Sequence, residues 1–140
     1  MNRLVVETPI AAPVEAVFEA VRDIEALGEE IPAFQRVEVG ERGDDFFLAT
    51  MYEEYGGREV VITSRFAWSE PEWVSYEHVD GPFGVNRGRF VLSPADGEGT
   101  VLRHEHETEQ DIAEGTKLRD DWLALMADQH AAIARIAGAG

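Results

Sequence analysis

The chain contains no cysteine. That excludes disulfides, thiolate nucleophiles, iron–sulfur clusters and cysteine-ligated zinc, so any chemistry has to come from other side chains. Positive charge is also scarce: 12 Lys and Arg stand against 28 Asp and Glu, a formal net charge of −16. Such a surface repels phosphate backbones and anionic membranes, and nucleic acid is not an expected partner. No apolar run approaches the roughly 20 residues needed to cross a bilayer, so membrane insertion is not expected either. The opening MNRLVVETPIAAPVEA lacks the continuous apolar segment of a secretory leader, which points to the cytoplasm. There is no glycine-rich phosphate loop: YGGRE and GVNRGRF read as hairpin punctuation, and Ser64, Ser69, Ser75 and Ser93 have no nucleophile-elbow context.

What the 140 residues do contain is an ordered succession of periodicities, in a length that suits one domain over residues 1–140. Arg3 to Ile10 reads as a strand. Pro13 then suits the start of a helix in which Val14, Val17, Phe18, Val21 and Ile24 form one apolar stripe. Gly28 and Pro32 limit a second helix to a short piece. From about Phe34 to Asp111 six strand-like segments follow, separated by GERGD, YGGR, SEPE, DGPFG and PADGEG, which are rich in hairpin residues. With no helix between them they should pair in sequence as an antiparallel meander. After Gly115 the period becomes helical, with Leu118, Trp122, Leu125, Gln129, Ile133 and Ile136 on one stripe. A helix from Thr116 to Ile136 spans about 30 Å at roughly 1.5 Å per residue. Only the closing AGAG looks loose.

Pleat alternation predicts which side chains face inward. In TVLRHEHETE, Val101, Arg103, Glu105, Glu107 and Glu109 form a set too charged to bury, so Leu102, His104, His106 and Thr108 face the interior. The same rule turns Asn86, Gly88, Phe90 and Leu92 inward, and groups Tyr76 with His78 and Val74. In REVVITSRFAW, the set Val60, Ile62, Ser64, Phe66 and Trp68 is the more apolar; pattern alone leaves Val61, Thr63, Arg65 and Ala67 outside. DDFFLATMYEEY is apolar on both faces and has no assignable parity. Neutral imidazoles are good metal ligands, but residues two apart on a strand are separated by about 6.6 Å in rise. No carboxylate falls in the inward set, so a metal is not expected; acid–base chemistry by these side chains needs no cofactor, and none is expected.

The order β-α-α-β6-α, the opening TPIAAPVEAVFEAVRDIEAL and the central DGPF resemble the START-related helix-grip superfamily, the group of polyketide cyclase/dehydrase and lipid-transport proteins. DIEAL with Phe34, GGREVVITSR, VDGPFGVNRGRF and GTVLRHEHETEQ look most like single-domain aromatic polyketide aromatase/cyclases. The resemblance covers almost the whole chain. It implies an α+β fold in which a curved seven-stranded antiparallel sheet wraps around the long C-terminal helix and leaves an internal cavity. It also implies a hydrophobic or aromatic small-molecule ligand, an acyl carrier protein as a further partner, and aldol cyclisation and dehydration of a poly-β-keto substrate. A carrier that holds a lipid, quinone or terpenoid unchanged is the alternative within the same fold. Arg65 occupies the place of a cavity arginine in those enzymes, and on that ground Arg65 and Thr63 are expected inside against the strand pattern. The apolar set of that strand would then face outward, where it suggests a homodimer. The expected catalytic group is Arg65, His106, His104 and His78. Phe34, Thr63, Tyr76, Asn86, Phe90, Trp122 and Gln129 are the expected ligand contacts. Phe34 replaces a tyrosine of the relatives, and histidine stands at 78, 104 and 106 in place of arginine, an aromatic and glutamine, so a more basic and titratable cavity floor is expected.

Overall fold

Leu4, Val6, Thr8 and Ile10 alternate with exposed Arg3, Val5, Glu7 and Pro9, which gives β1 (Asn2–Ile10) one covered face in the computed structural model of the chain. The structure describes residues 1–55 and 57–138; Gly56 of the YGGR turn and the last two residues of AGAG lie outside them. Pro13 caps α1 (Val14–Arg22), its carbonyl accepting from the amides of Ala16 and Val17. The Asp23 carboxylate caps α2 (Ile24–Glu30) by accepting from the Ala26 amide at 3.1 Å, and that helix is as short as Gly28 and Pro32 require.

Six strands follow: β2 (Phe34–Arg42), β3 (Phe46–Tyr55), β4 (Arg58–Ser69), β5 (Trp73–Asp80), β6 (Asn86–Pro94) and β7 (Thr100–Thr108). They form one antiparallel sheet in the order β1-β7-β6-β5-β4-β3-β2, five successive hairpins with β1 added beside β7. α3 (Lys117–Ile136) begins where the Thr116 hydroxyl accepts from the Arg119 amide at 3.3 Å, and it lies across the covered face of the sheet. Its buried residues are Trp122, Met126, His130, Ala132 and Ile133. The fully covered stripe therefore runs through 126 and 130 rather than 125 and 129. Phe18, Val17, Ile62, Val74, Leu102 and Ile133 form the centre of the core between sheet and helices. This is the helix-grip arrangement expected from the sequence. Among the described residues no helix is long and apolar enough to cross a membrane.

Two expectations for β4 are corrected. Arg65 is exposed on the outer face, its guanidinium 4.7 Å from the centre of the Phe46 ring, and Thr63 lies on the same side with its hydroxyl 2.9 Å from that of Thr50. Ile62, Ser64 and Phe66 point inward instead, as the bare alternation of the strand indicates. The reason is electrostatic. Along one outer row of the sheet the register partners are Arg3, Glu107, Arg87, Glu77 and Arg65, alternating in sign over five strands. Cross-strand opposite charges are each worth about 0.2–1 kcal/mol, whereas an inward arginine without a partner costs several. The neighbouring row centres on Glu105, which pairs with Arg3, Arg89 and Arg103. Since the apolar set of β4 belongs to the core, the ground for expecting a homodimer disappears.

Two substitutions separate the faces. Ile133→Ala removes a fully buried side chain and should lower unfolding free energy by about 2–5 kcal/mol. Arg65→Ala removes only surface contacts and should change it by less than about 1 kcal/mol. Urea denaturation followed by circular dichroism reads both.

Candidate functional site

Between α3, α2 and the concave sheet lies a narrow cavity of ≈ 90 Å³. Its wall is mostly apolar, with Ile24, Leu27, Phe34, Met51, Phe66, Phe83, Phe90, Trp122 and Met126 among its residues. The polar groups at its surface are Glu53, Ser64, Tyr76, His78, Asn86, His104, His106 and Gln129, and among the described residues no lysine or arginine lines it. The structure thus brings together every expected contact except Arg65 and Thr63.

The two histidines of β7 are joined by a residue from another strand. Tyr76 on β5 is the register partner of Gly88 on β6, which is in turn the partner of His106 on β7. Lacking a side chain, Gly88 lets the Tyr76 ring lie across β6; a Cβ there would stand 2.3 Å from the phenol oxygen and 2.6 Å from the Glu105 carbonyl. The hydroxyl reaches His104 Nε2 at 2.8 Å and His106 Nδ1 at 2.6 Å. His106 Nε2 continues to Asn86 Oδ1 at 3.0 Å, and Asn86 Nδ2 donates to the Phe83 carbonyl at 2.9 Å. In the other direction His104 Nδ1 meets His130 Nε2 at 3.0 Å, and His130 Nδ1 meets the Thr8 hydroxyl at 2.6 Å. Phe90 stacks on His104 with ring centres 4.0 Å apart, and Trp122 meets His106 edge-on at 5.3 Å. These contacts fix the imidazole planes.

Burial keeps the imidazoles neutral. It pushes His78, His106 and His130 down to about 4 and His104 well below the ordinary histidine value; His130 and His106 press His104 further down, and His78 does the same to His106. The expectation of a basic floor is therefore corrected: the rings are titratable groups held uncharged. Burial, helped by the Glu53 charge, also raises the Tyr76 phenol. His78 makes no hydrogen bond among the described residues, so its ring nitrogens are open to a guest. Two buried atoms in the wall, Ser64 Oγ and Gln129 Oε1, have no hydrogen-bond partner among the described residues, which marks them as contacts for a polar group of a ligand.

Sequence reasoning missed Glu53, Ser64, His130 and Thr8. Glu53 is 4 % exposed, contrary to the expectation that no carboxylate points inward. β3 is apolar on both sides, and only its pairing with β4, Met51 against Ile62 and Glu53 against Val60, shows which set is inside. His130 could have been found as the third member of a 122, 126, 130 stripe, and Thr8 from the alternation of β1. Among the described residues no group of three or more His, Asp or Glu has the geometry to hold a metal ion.

Residues 10–120 match the family of polyketide cyclase/dehydrase and lipid-transport proteins. The chain belongs to that family. Its fold is shared with the Zhui aromatase/cyclase of a Streptomyces species at 20% identity and TM-score 0.74, over 97% of this chain and 90% of that one. A protein of Thermus thermophilus aligns at 22% identity and TM-score 0.78, covering 97% and 94%. Ginseng major latex-like protein 151 from Panax ginseng aligns at 15% and 0.75, covering 96% and 95%. At these identities the likeness shows a shared fold. No curated protein matches the sequence.

In the unfolded chain the three rings held near 4 would protonate around 6.5. Unfolding between those pH values takes up protons, so this contribution weakens the fold progressively as pH falls from 6.5 toward 4 and vanishes above 6.5. The ring signals of His78, His106 and His130 in nuclear magnetic resonance should accordingly stay fixed from pH 8 to about 5.5. Gly88→Ala should displace Tyr76, shift the His104 and His106 ring signals, and cost about 1–3 kcal/mol from polar groups left unpaired; unchanged ring signals would contradict the role of the gap.

Proposed function

We propose that the protein binds an uncharged aromatic or poly-β-keto molecule in this cavity and promotes its aldol closure and dehydration by proton transfer. The observation that carries the reading is the Tyr76 hydroxyl held between two neutral imidazoles in a mostly apolar wall. An anionic guest would find no cation there, while a ketone or phenol loses little on leaving water and can use donors already in place. The role expected of Arg65 passes to a neutral donor: the Nε2–H of His106, on the Asn86 side of the ring, would polarise a carbonyl as charge develops on its oxygen, with Tyr76 holding that ring through Nδ1. His78, with free ring nitrogens and depressed basicity, is placed to take a proton from an activated carbon.

At ≈ 90 Å³ the cavity is small beside the roughly 300–1,000 Å³ of ordinary ligand pockets. A guest larger than one ring therefore requires lining side chains to move. Phe83 and Trp122 are in the wall from different elements and meet edge-on at 5.9 Å, so their separation is the expected response. A second reading, a carrier that returns its ligand unchanged, is favoured by one observation: all four ring nitrogens of His104 and His106 already bond within the protein.

Incubation with a short poly-β-keto thioester, followed by mass spectrometry, separates the two. Loss of water with ring formation is expected, and Tyr76→Phe and His78→Asn should each slow it by about a hundredfold. Arg65→Ala should leave it unchanged. Recovery of every bound compound intact from the native protein would decide for the carrier.

A further inference from the structure

Asn86 determines the direction of each hydrogen bond between itself and Thr8. Its Nδ2 donates to the Phe83 carbonyl, so the atom turned toward His106 is Oδ1, which only accepts. The same carbonyl also receives Gln110 Nε2 at 2.8 Å, which holds it in place. His106 must then carry its proton on Nε2 and leave Nδ1 as an acceptor. Tyr76 consequently donates its one hydroxyl proton to His106 Nδ1 and accepts from His104 Nε2. His104 Nδ1 accepts from His130 Nε2, and His130 Nδ1 accepts from the Thr8 hydroxyl. Three neutral imidazoles thus share one tautomer, and each bond in the series has one donor and one acceptor. The reverse polarity would set two acceptors, His106 Nε2 and Asn86 Oδ1, face to face.

The series also leads somewhere. His104, Tyr76, His106 and Asn86 line the cavity, whereas His130 and Thr8 do not. Thr8 is half-buried on β1, the edge strand of the sheet. We propose that Thr8, His130, His104, Tyr76 and His106 form a proton relay that connects solvent at the β1 edge with a ligand oxygen beside His106. This rests on the acid–base reading of the cavity for what the relay serves, though not for its existence.

In the delivering direction His106 Nε2 gives its proton to the ligand oxygen, and His106 Nδ1 takes the Tyr76 hydroxyl proton. The phenol oxygen takes the proton of His104 Nε2, His104 Nδ1 that of His130 Nε2, and His130 Nδ1 that of Thr8. An acid in the solvent replaces the proton lost by Thr8. One proton enters and one leaves, and every ring ends neutral with its proton on Nδ1. That state has His106 Nε2 bare against Asn86 Oδ1, so it is the higher in energy. It returns by the opposite shift, accepting a proton at His106 Nε2 and releasing one at Thr8. Delivery followed by withdrawal is the alternation that aldol closure and dehydration need. No ring has to become a buried cation at rest, which agrees with the burial that holds them neutral.

The test uses the ligand-free, ¹⁵N-labelled protein at pH 7. Ring correlations should show His104, His106 and His130 all protonated on Nε2. Thr8→Val keeps the branched shape and removes only the outer hydroxyl; it should slow solvent exchange of the His130 and His104 ring protons by about a hundredfold, the scale of losing a positioned proton partner. Thr8→Ser should restore the native rate. An Nδ1 proton on any of the three rings, unchanged exchange in Thr8→Val, or failure of Thr8→Ser to restore it overturns the relay. Neither measurement involves turnover, so the relay and the proposed function can fail separately.

Discussion

The cavity depends on one contact, the Tyr76 hydroxyl placed between His104 and His106 across the gap left by Gly88. Without it each imidazole would present a nitrogen to an apolar wall with nothing to bond, at a cost of about 1–3 kcal/mol per group. With it, three strands are tied on the concave face, where the backbone ladder alone would not specify side-chain positions. Phe90 and Trp122 then hold the imidazole planes, and the Phe83 carbonyl anchors the far end through Asn86. A polar network inside a core is stable only when its members are satisfied, and this one is closed from Thr8 to the DGPF loop.

The two faces of the sheet solve opposite electrostatic problems. Outside, arginines and glutamates alternate in register, which spreads a strongly acidic composition over a surface where opposite charges are neighbours. Inside, the titratable rings are kept neutral by burial, so the interior can hold three histidines at the cavity and His130 behind them without repulsion between charged rings. A permanently charged guanidinium has no such escape, because it does not deprotonate in proteins. That difference explains why histidine, and not Arg65, occupies the interior of this family member, and why the polar groups of the cavity offer hydrogen-bond donors and acceptors rather than fixed positive charge.

Much of the architecture was legible in the chain. Turn residues divided the strands, the change of period after Gly115 marked the long helix, and the charged odd positions of β7 settled which way its histidines point. β4 shows where resemblance and physics separated: alternation placed Arg65 outside, the family pattern placed it inside, and the structure agrees with alternation. The rest was illegible for definite reasons. β3 has two apolar faces, so Glu53 could not be assigned from its own strand, and Tyr76 meets His106 only because Gly88 stands between them. A histidine on α3, such as His130, carries no sign of its partner more than twenty residues away.

By itself, then, the sequence determined the order of elements, an α+β class with an antiparallel meander and the inward set of most strands, since these follow from local periodicity, turn chemistry and the cost of burying charge; the helix-grip class came from the family resemblance. Tertiary structure decided which polar side chains meet, which way their protons point and how small the cavity is. Those properties arise from pairing register and from contacts across strands and helix, and period along one chain contains no information about its neighbour.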